Sequence, residues 1–205
     1  SYTIREKFYY CINKSTYTNI IREKMLEELY QIDTNILYFF NKNLSNHILD
    51  DLLRLYTIDF WHTIPAFVII IPILVLILDK KDGKKLFSLF TISYILSIIL
   101  SRILKYTIQR LRPVITENFI NKLVIEKGYS FPSEHTLFAF LIATILSYKY
   151  PKYAPIWFIL AIIMGIARVY EGVHYPSDVI CGGLIGIIIG YLTIHNKNRI
   201  YKLFK

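Results

Sequence analysis

Between Trp61 and Leu78 the chain reads WHTIPAFVIIIPILVLIL, eighteen residues without Asp, Glu, Lys or Arg. At 1.5 Å per residue a helix of that length crosses most of a hydrocarbon core about 30 Å thick. Four further apolar runs follow, from Leu86 to Leu104, from about Ser133 to Tyr150, from about Tyr153 to Val169 and from about Ser177 to Ile194. Hydrocarbon offers no partner to an unpaired backbone N–H or C=O, and no strand alternation is visible, so these runs are expected to be helices. The fold class expected is all-α, a polytopic membrane helical bundle with about five transmembrane helices. A mean hydropathy of +0.40 with 54% hydrophobic residues agrees, being too apolar for a soluble domain of 205 residues.

Before the first run, residues 1–57 are mixed in polarity, with Ile20, Ile21, Met25, Leu29, Ile32, Ile36 and Phe40 near helical spacing. They are expected to form an N-terminal amphipathic segment at the interface, followed by a membrane-embedded domain over 58–194 and a basic tail over 195–205. The opening SYTIREKFYY lacks the basic, apolar and small-residue order of a removable signal peptide, so none is expected. A net charge of +9 would suggest nucleic acid as a partner in a soluble protein, but many of the cations here flank apolar runs, and no nucleic-acid partner is expected. The two cysteines, Cys11 and Cys181, have no histidines at zinc-ligand spacing, and neither a disulfide nor a metal site is expected from them. In the last run Gly182, Gly186 and Gly190 recur every four residues, a face suited to close helix packing.

Five spans place the lysine-rich connection Asp79 to Lys85, the connection around Pro151 and the C-terminal tail on one side, which the positive-inside rule makes cytoplasmic. The seven Lys and Arg of residues 1–57 fall on the opposite side and oppose that orientation. The connections 105–132 and 169–176 then share the extracytoplasmic face, and they carry the unusual polar residues: KYTIQRLRP from Lys105, SFPSEH from Ser130, and ARVYEGVHYPSD from Ala167.

Brought together, these segments supply three cations (Lys105, Arg112, Arg168), two histidines (His135, His174) and Asp178, four residues after His174. Three cations at one point suit a multiply charged anion such as phosphate or diphosphate, with Arg giving bidentate geometry and Lys a point charge. Ser133, opening the third span, adds a hydroxyl and a helix N-terminus. A carboxylate on one ring nitrogen of His174 leaves the other nitrogen free to attack phosphorus, and His135 is placed to act as acid and then base. Taken alone, His174 and Asp178 fit a pair of metal ligands as well as a dyad; the three cations favour the dyad, with no metal and no cofactor needed. Arg102 and Arg110 read as snorkelling cations, and His47, His62 and His195 as boundary residues. An anion transporter is the competing reading, but it would want charges at mid-bilayer rather than gathered at one face.

Lys105 with six residues before Arg112-Pro113, then Pro132-Ser133-Glu134-His135, then Arg168 with five residues before His174 and three more before Asp178, closely resembles the three-part signature of the type 2 phosphatidic acid phosphatase family. The resemblance covers roughly residues 58–194. It implies a membrane lipid phosphatase in which His174 is phosphorylated, His135 is acid and base, Asp178 supports His174, and Lys105, Arg112, Ser133 and Arg168 bind phosphate without a metal. Its partners would be a phosphorylated lipid and the bilayer. Two positions depart from the pattern: Glu134 stands for Gly and Ala167 for Ser. The acidic Glu134 and the His-Tyr-Pro-x-Asp run are similar to the branch acting on undecaprenyl diphosphate, which makes Glu134 a candidate modulating residue. Phosphatidic acid and phosphatidylglycerol phosphate are the alternative substrates.

Overall fold

The structure, a computed structural model, describes residues 4–57, 59–60, 64–124 and 126–204, with side chains described over 21–57, 66–124 and 126–204. Trp61 to Thr63, and the reading of His62 with them, lie outside the described residues. The chain forms two compact units, Ser1–Ile36 and Leu37–Lys205. In the first, residues 4–36 belong to α1 (Ile4–Tyr38), and Ile21, Met25, Leu29, Ile32 and Ile36 are all exposed.

The second unit opens with a π-helical turn (Phe39–Asn43) and α2 (His47–Tyr56), whose N-cap Asn46 accepts a bond from the Leu49 amide at 3.0 Å. A two-residue antiparallel pairing, Asp59–Phe60 with Ile64–Pro65, precedes α3 (Ala66–Leu78). Then come α4 (Gly83–Ile108), a single turn α5 (Pro113–Thr116), α6 (Glu134–Lys149), α7 (Ala154–Tyr170), α8 (Pro176–His195) and α9 (Lys197–Leu203). The five apolar runs thus correspond to α3, α4, α6, α7 and α8. Among the described residues three stretches are long and apolar enough to cross a membrane, Gly83–Thr116, Pro151–Tyr170 and Pro176–His195. The other two are shorter, 13 residues for α3 and 16 for α6, because Pro65 bounds one, and Ser133 and Pro151 bound the other.

Helix α6 lies between α7 and α8 and packs most extensively against α8. The glycine face of α8 makes this possible. A Cβ at Gly186 would fall 2.2 Å from the Leu137 carbonyl oxygen, and one at Gly182 would fall 2.6 Å from that of Ser133. The small-residue stripe is therefore a packing device, as expected. Leu86, Phe90, Leu141, Ile145 and Ile189 fill the core between α4, α6 and α8. At one end, Lys149 pairs with Asp82 and the Tyr150 hydroxyl donates to Asp79 at 2.6 Å, joining the α3–α4 and α6–α7 connections. The remaining connections, α4–α6 and α7–α8, meet at the other end.

Candidate active site

Residues from α4, α6, α7 and α8 and from the two connections converge there, with the starts of α6 and α8 tied together. Pro176 occupies the first turn of α8, where its missing N–H costs nothing, and Asp178 turns back to accept the Tyr175 amide at 2.9 Å. The Asp178 carbonyl accepts the Ser133 amide at 3.2 Å, so the N-cap of α6 rests on the first turn of α8. Upstream, Gly172 takes φ +72° to reverse the chain after α7. A Cβ there would meet Ile120 at 2.6 Å and Asn41 at 3.0 Å, so the turn that delivers His174 suits glycine on both counts. Asn41, fully buried, donates to the Tyr170 carbonyl at 2.7 Å and braces the same turn.

All three expected cations are buried at this corner. Lys105, in the last turn of α4, donates to the carbonyls of Tyr129 at 3.0 Å and Pro132 at 3.3 Å. Arg112 donates from Nη1 to the Val173 carbonyl at 3.0 Å and stands 3.2 Å from His174 Nε2. Arg168, at the end of α7, is held from Nη1 by Glu171 at 2.7 Å, and Glu171 in turn accepts from Thr57. Arg112 Nη1 and Arg168 Nη2 both grip one carboxylate, Glu126, whose Oε2 lies 2.7 Å from Arg112 and 3.8 Å from His174 Nε2.

His135 and Ser133 are buried at the head of α6, with the Ser133 hydroxyl 3.0 Å from that of Thr136. Glu134 accepts from the Ser101 hydroxyl of α4 at 2.7 Å. The expected bond between His174 and Asp178 is replaced by a bridged one. Nδ1 lies 3.8 Å from Asp178 Oδ2, and the Ser130 hydroxyl stands between them, 2.5 Å from the carboxylate and 3.4 Å from Nδ1. A proton on Nδ1 facing Ser130 leaves the Nε2 lone pair toward Arg112 and Glu126. Burial, and then the nearby charges of Arg112, Arg168, Lys105 and His135, push the His174 imidazole well below the usual histidine range.

A model of the PAP2 superfamily matches residues 86–202. The chain belongs to that superfamily. It is 36% identical over 129 residues to an undecaprenyl-diphosphatase of Sulfolobus acidocaldarius, covering 60% of this chain and 61% of that protein. To phosphatidylglycerophosphatase B of Bacillus subtilis it is 32% identical, over 46% of this chain and 50% of the relative. The chain thus spans about half to three fifths of the length of these curated relatives. The crystal structure of Aquifex aeolicus LpxE superposes with a TM-score of 0.67 at 30% identity, covering 79% of this chain and 94% of that one.

The PAP2 signature positions all fall in this corner, whereas four of its partners were not legible from the signature. Arg110, read as a snorkelling cation, instead donates to Asp178 at 2.7 Å and to the Ser177 hydroxyl at 2.6 Å, with its guanidinium 3.9 Å from the centre of the Tyr175 ring. The reason is local: α4 ends at Ile108, and its C-cap Gln109, with φ of +52°, turns the chain away from the helix axis before Arg110. Ser130, Glu126 and Glu171 lie in irregular backbone or just past a helix end, where no periodicity marks which side chains point inward. Arg102, read as a snorkelling cation, and His47 and His195, read as boundary residues, are all exposed.

Proposed function

We propose that this PAP2 chain is a metal-independent lipid phosphatase of the cell membrane that removes the terminal phosphate of a polyprenyl diphosphate of the undecaprenyl type. The observation that carries the reading is that Arg112 and Arg168 hold a single anionic group with an oxygen 3.8 Å from His174 Nε2. An anion in that seat is in reach of a nucleophile whose lone pair faces it. In the reaction, the Nε2 pair attacks the terminal phosphorus and the bridging P–O bond breaks. The departing lipid monophosphate takes a proton from His135. Water then attacks the phosphohistidine while His135 accepts its proton, the P–N bond breaks, and inorganic phosphate leaves. Lys105, Arg112, Arg168 and the head of α6 at Ser133 stabilise the equatorial oxygens. Asp178 orients His174 through Ser130, and the site opens on the extracytoplasmic face.

The polyprenyl substrate is supported by Glu134 next to His135, by the His174-Tyr175-Pro176 run ending at Asp178, and by the likeness to the Sulfolobus protein. The test is phosphate release by purified protein in detergent with EDTA, comparing undecaprenyl diphosphate, phosphatidic acid and phosphatidylglycerol phosphate, beside His174→Ala. Release that survives EDTA, is fastest on the diphosphate and vanishes in the variant is expected. Faster release from a glycerophospholipid would replace the substrate, and undiminished release by the variant would overturn the mechanism.

A further inference from the structure

We propose that the Glu126 carboxylate is an internal occupant of the phosphate seat, which the substrate's phosphate must displace before reaction. The inference deepens the function proposed above and rests on it for the identity of the seat. Two kinds of carboxylate touch Arg168. Glu171 is fully buried, and Thr57 donates to it from behind, so it belongs to the framework of the site. Glu126 stands on the opposite side, facing His174 Nε2, with 14% of its side chain exposed, on an irregular connection between α5 and α6. It holds the position that the reaction needs for a phosphate oxygen.

Both guanidiniums remain bonded when Glu126 leaves. Arg112 keeps the carbonyls of Gly128 at 3.2 Å and Val173 at 3.0 Å, and Arg168 keeps Glu171 at 2.7 Å. Glu126 can leave by rotating its own partly exposed side chain, which leaves the Gly128 carbonyl on Arg112. A carboxylate brings one charge and two oxygens to the seat, whereas a terminal phosphate brings up to two charges and three oxygens. The substrate therefore wins the exchange, at a cost in apparent affinity equal to the fraction of time the seat is free. A seat free for about one tenth of the time weakens binding about tenfold, for substrate and for released phosphate alike.

This equality gives the test. In Glu126→Gln the neutral amide competes poorly, and KM for the lipid and the inhibition constant for inorganic phosphate should fall by the same factor, about tenfold. Direct binding of inorganic phosphate, followed by titration calorimetry on the full chain without lipid, should tighten by that factor as well. This arm reads the seat even if none of the lipids tried is a substrate. Glu126→Asp, with a shorter reach and the charge retained, should give a smaller change in the same direction. Unchanged or weaker phosphate binding in Glu126→Gln would overturn the proposal. So would a fall in kcat with phosphate affinity unmoved, which would make Glu126 a positioning residue. If neither variant folds, Glu126 is a structural ion-pair partner and the proposal is likewise overturned.

Discussion

Replacing Ser130 by Ala removes one oxygen and tests whether the His174–Asp178 pairing works through the bridge. The Ser130 hydroxyl is fully buried, 2.5 Å from Asp178 Oδ2 and 3.4 Å from His174 Nδ1. Asp178 cannot simply close the 3.8 Å gap to the ring, because Tyr175 N–H at 2.9 Å and Arg110 at 2.7 Å hold its two oxygens. The variant should therefore lose a hydrogen bond to a charged group, about 1.5–3 kcal/mol. If that bond orients the nucleophile in the transition state, the loss in kcat/KM is about 10- to 150-fold. Folding stability should fall by a comparable amount, because the fully buried Asp178 carboxylate loses a donor, so the activities are compared at a temperature where both proteins are folded. The assay is phosphate release from undecaprenyl diphosphate in detergent, with thermal unfolding as the control. Combined with Asp178→Asn, the double variant should lose little more than Asp178→Asn alone, the coupling expected of residues in one network. A loss below threefold, or full additivity with Asp178→Asn, would refute the bridge.

Arg110→Ala should lower kcat/KM by about 10- to 100-fold, because it strips a charged partner from a fully buried carboxylate; an effect below twofold would return Arg110 to the role of a snorkelling cation. Gly186→Ala should destabilise the protein by about 1–3 kcal/mol or more, since its Cβ meets the Leu137 carbonyl at 2.2 Å. Gly183→Ala, which meets only the Phe140 ring at 3.1 Å, should be milder, and thermal unfolding in detergent ranks the two. The depressed His174 pKa means that the unfolded state binds its proton more readily, so the penalty for keeping the ring neutral appears as pH falls below about 6.5 and grows down to the folded value. The nucleophile accordingly stays neutral between pH 7.5 and 6, and the kcat/KM profile should show no acid limb centred near 6.5 arising from His174.

Much of this site is legible in the sequence because apolar period and signature spacing both constrain it. The apolar runs located the helices, and an even number of spans between the polar connections brought them to one end, where Lys105, Arg112, Ser133, His135, Arg168, His174 and Asp178 do meet. The residues that complete their contacts are another matter. Glu126 and Ser130 sit in the connection before α6, where direction is set by bonds such as Arg112 to the Gly128 carbonyl and Lys105 to Tyr129 and Pro132. Such bonds link positions 16 to 27 residues apart and leave no periodic trace. Residues 37–57 show the same limit. Their composition suggested an interfacial segment, yet Asn41, Asp50 and Thr57 reach Tyr170 and Glu171 and so brace the turn that carries His174.

The central claim is that His174 carries the phosphoryl group. Rapid acid-free quenching of the enzyme with undecaprenyl diphosphate labelled at its terminal phosphorus, followed by peptide mapping, tests it directly. Label that is acid-labile and base-stable on the peptide containing His174, absent from His174→Ala and chased by unlabelled substrate, is the result expected. Turnover at the full rate with no label on His174 at any time point would contradict the account.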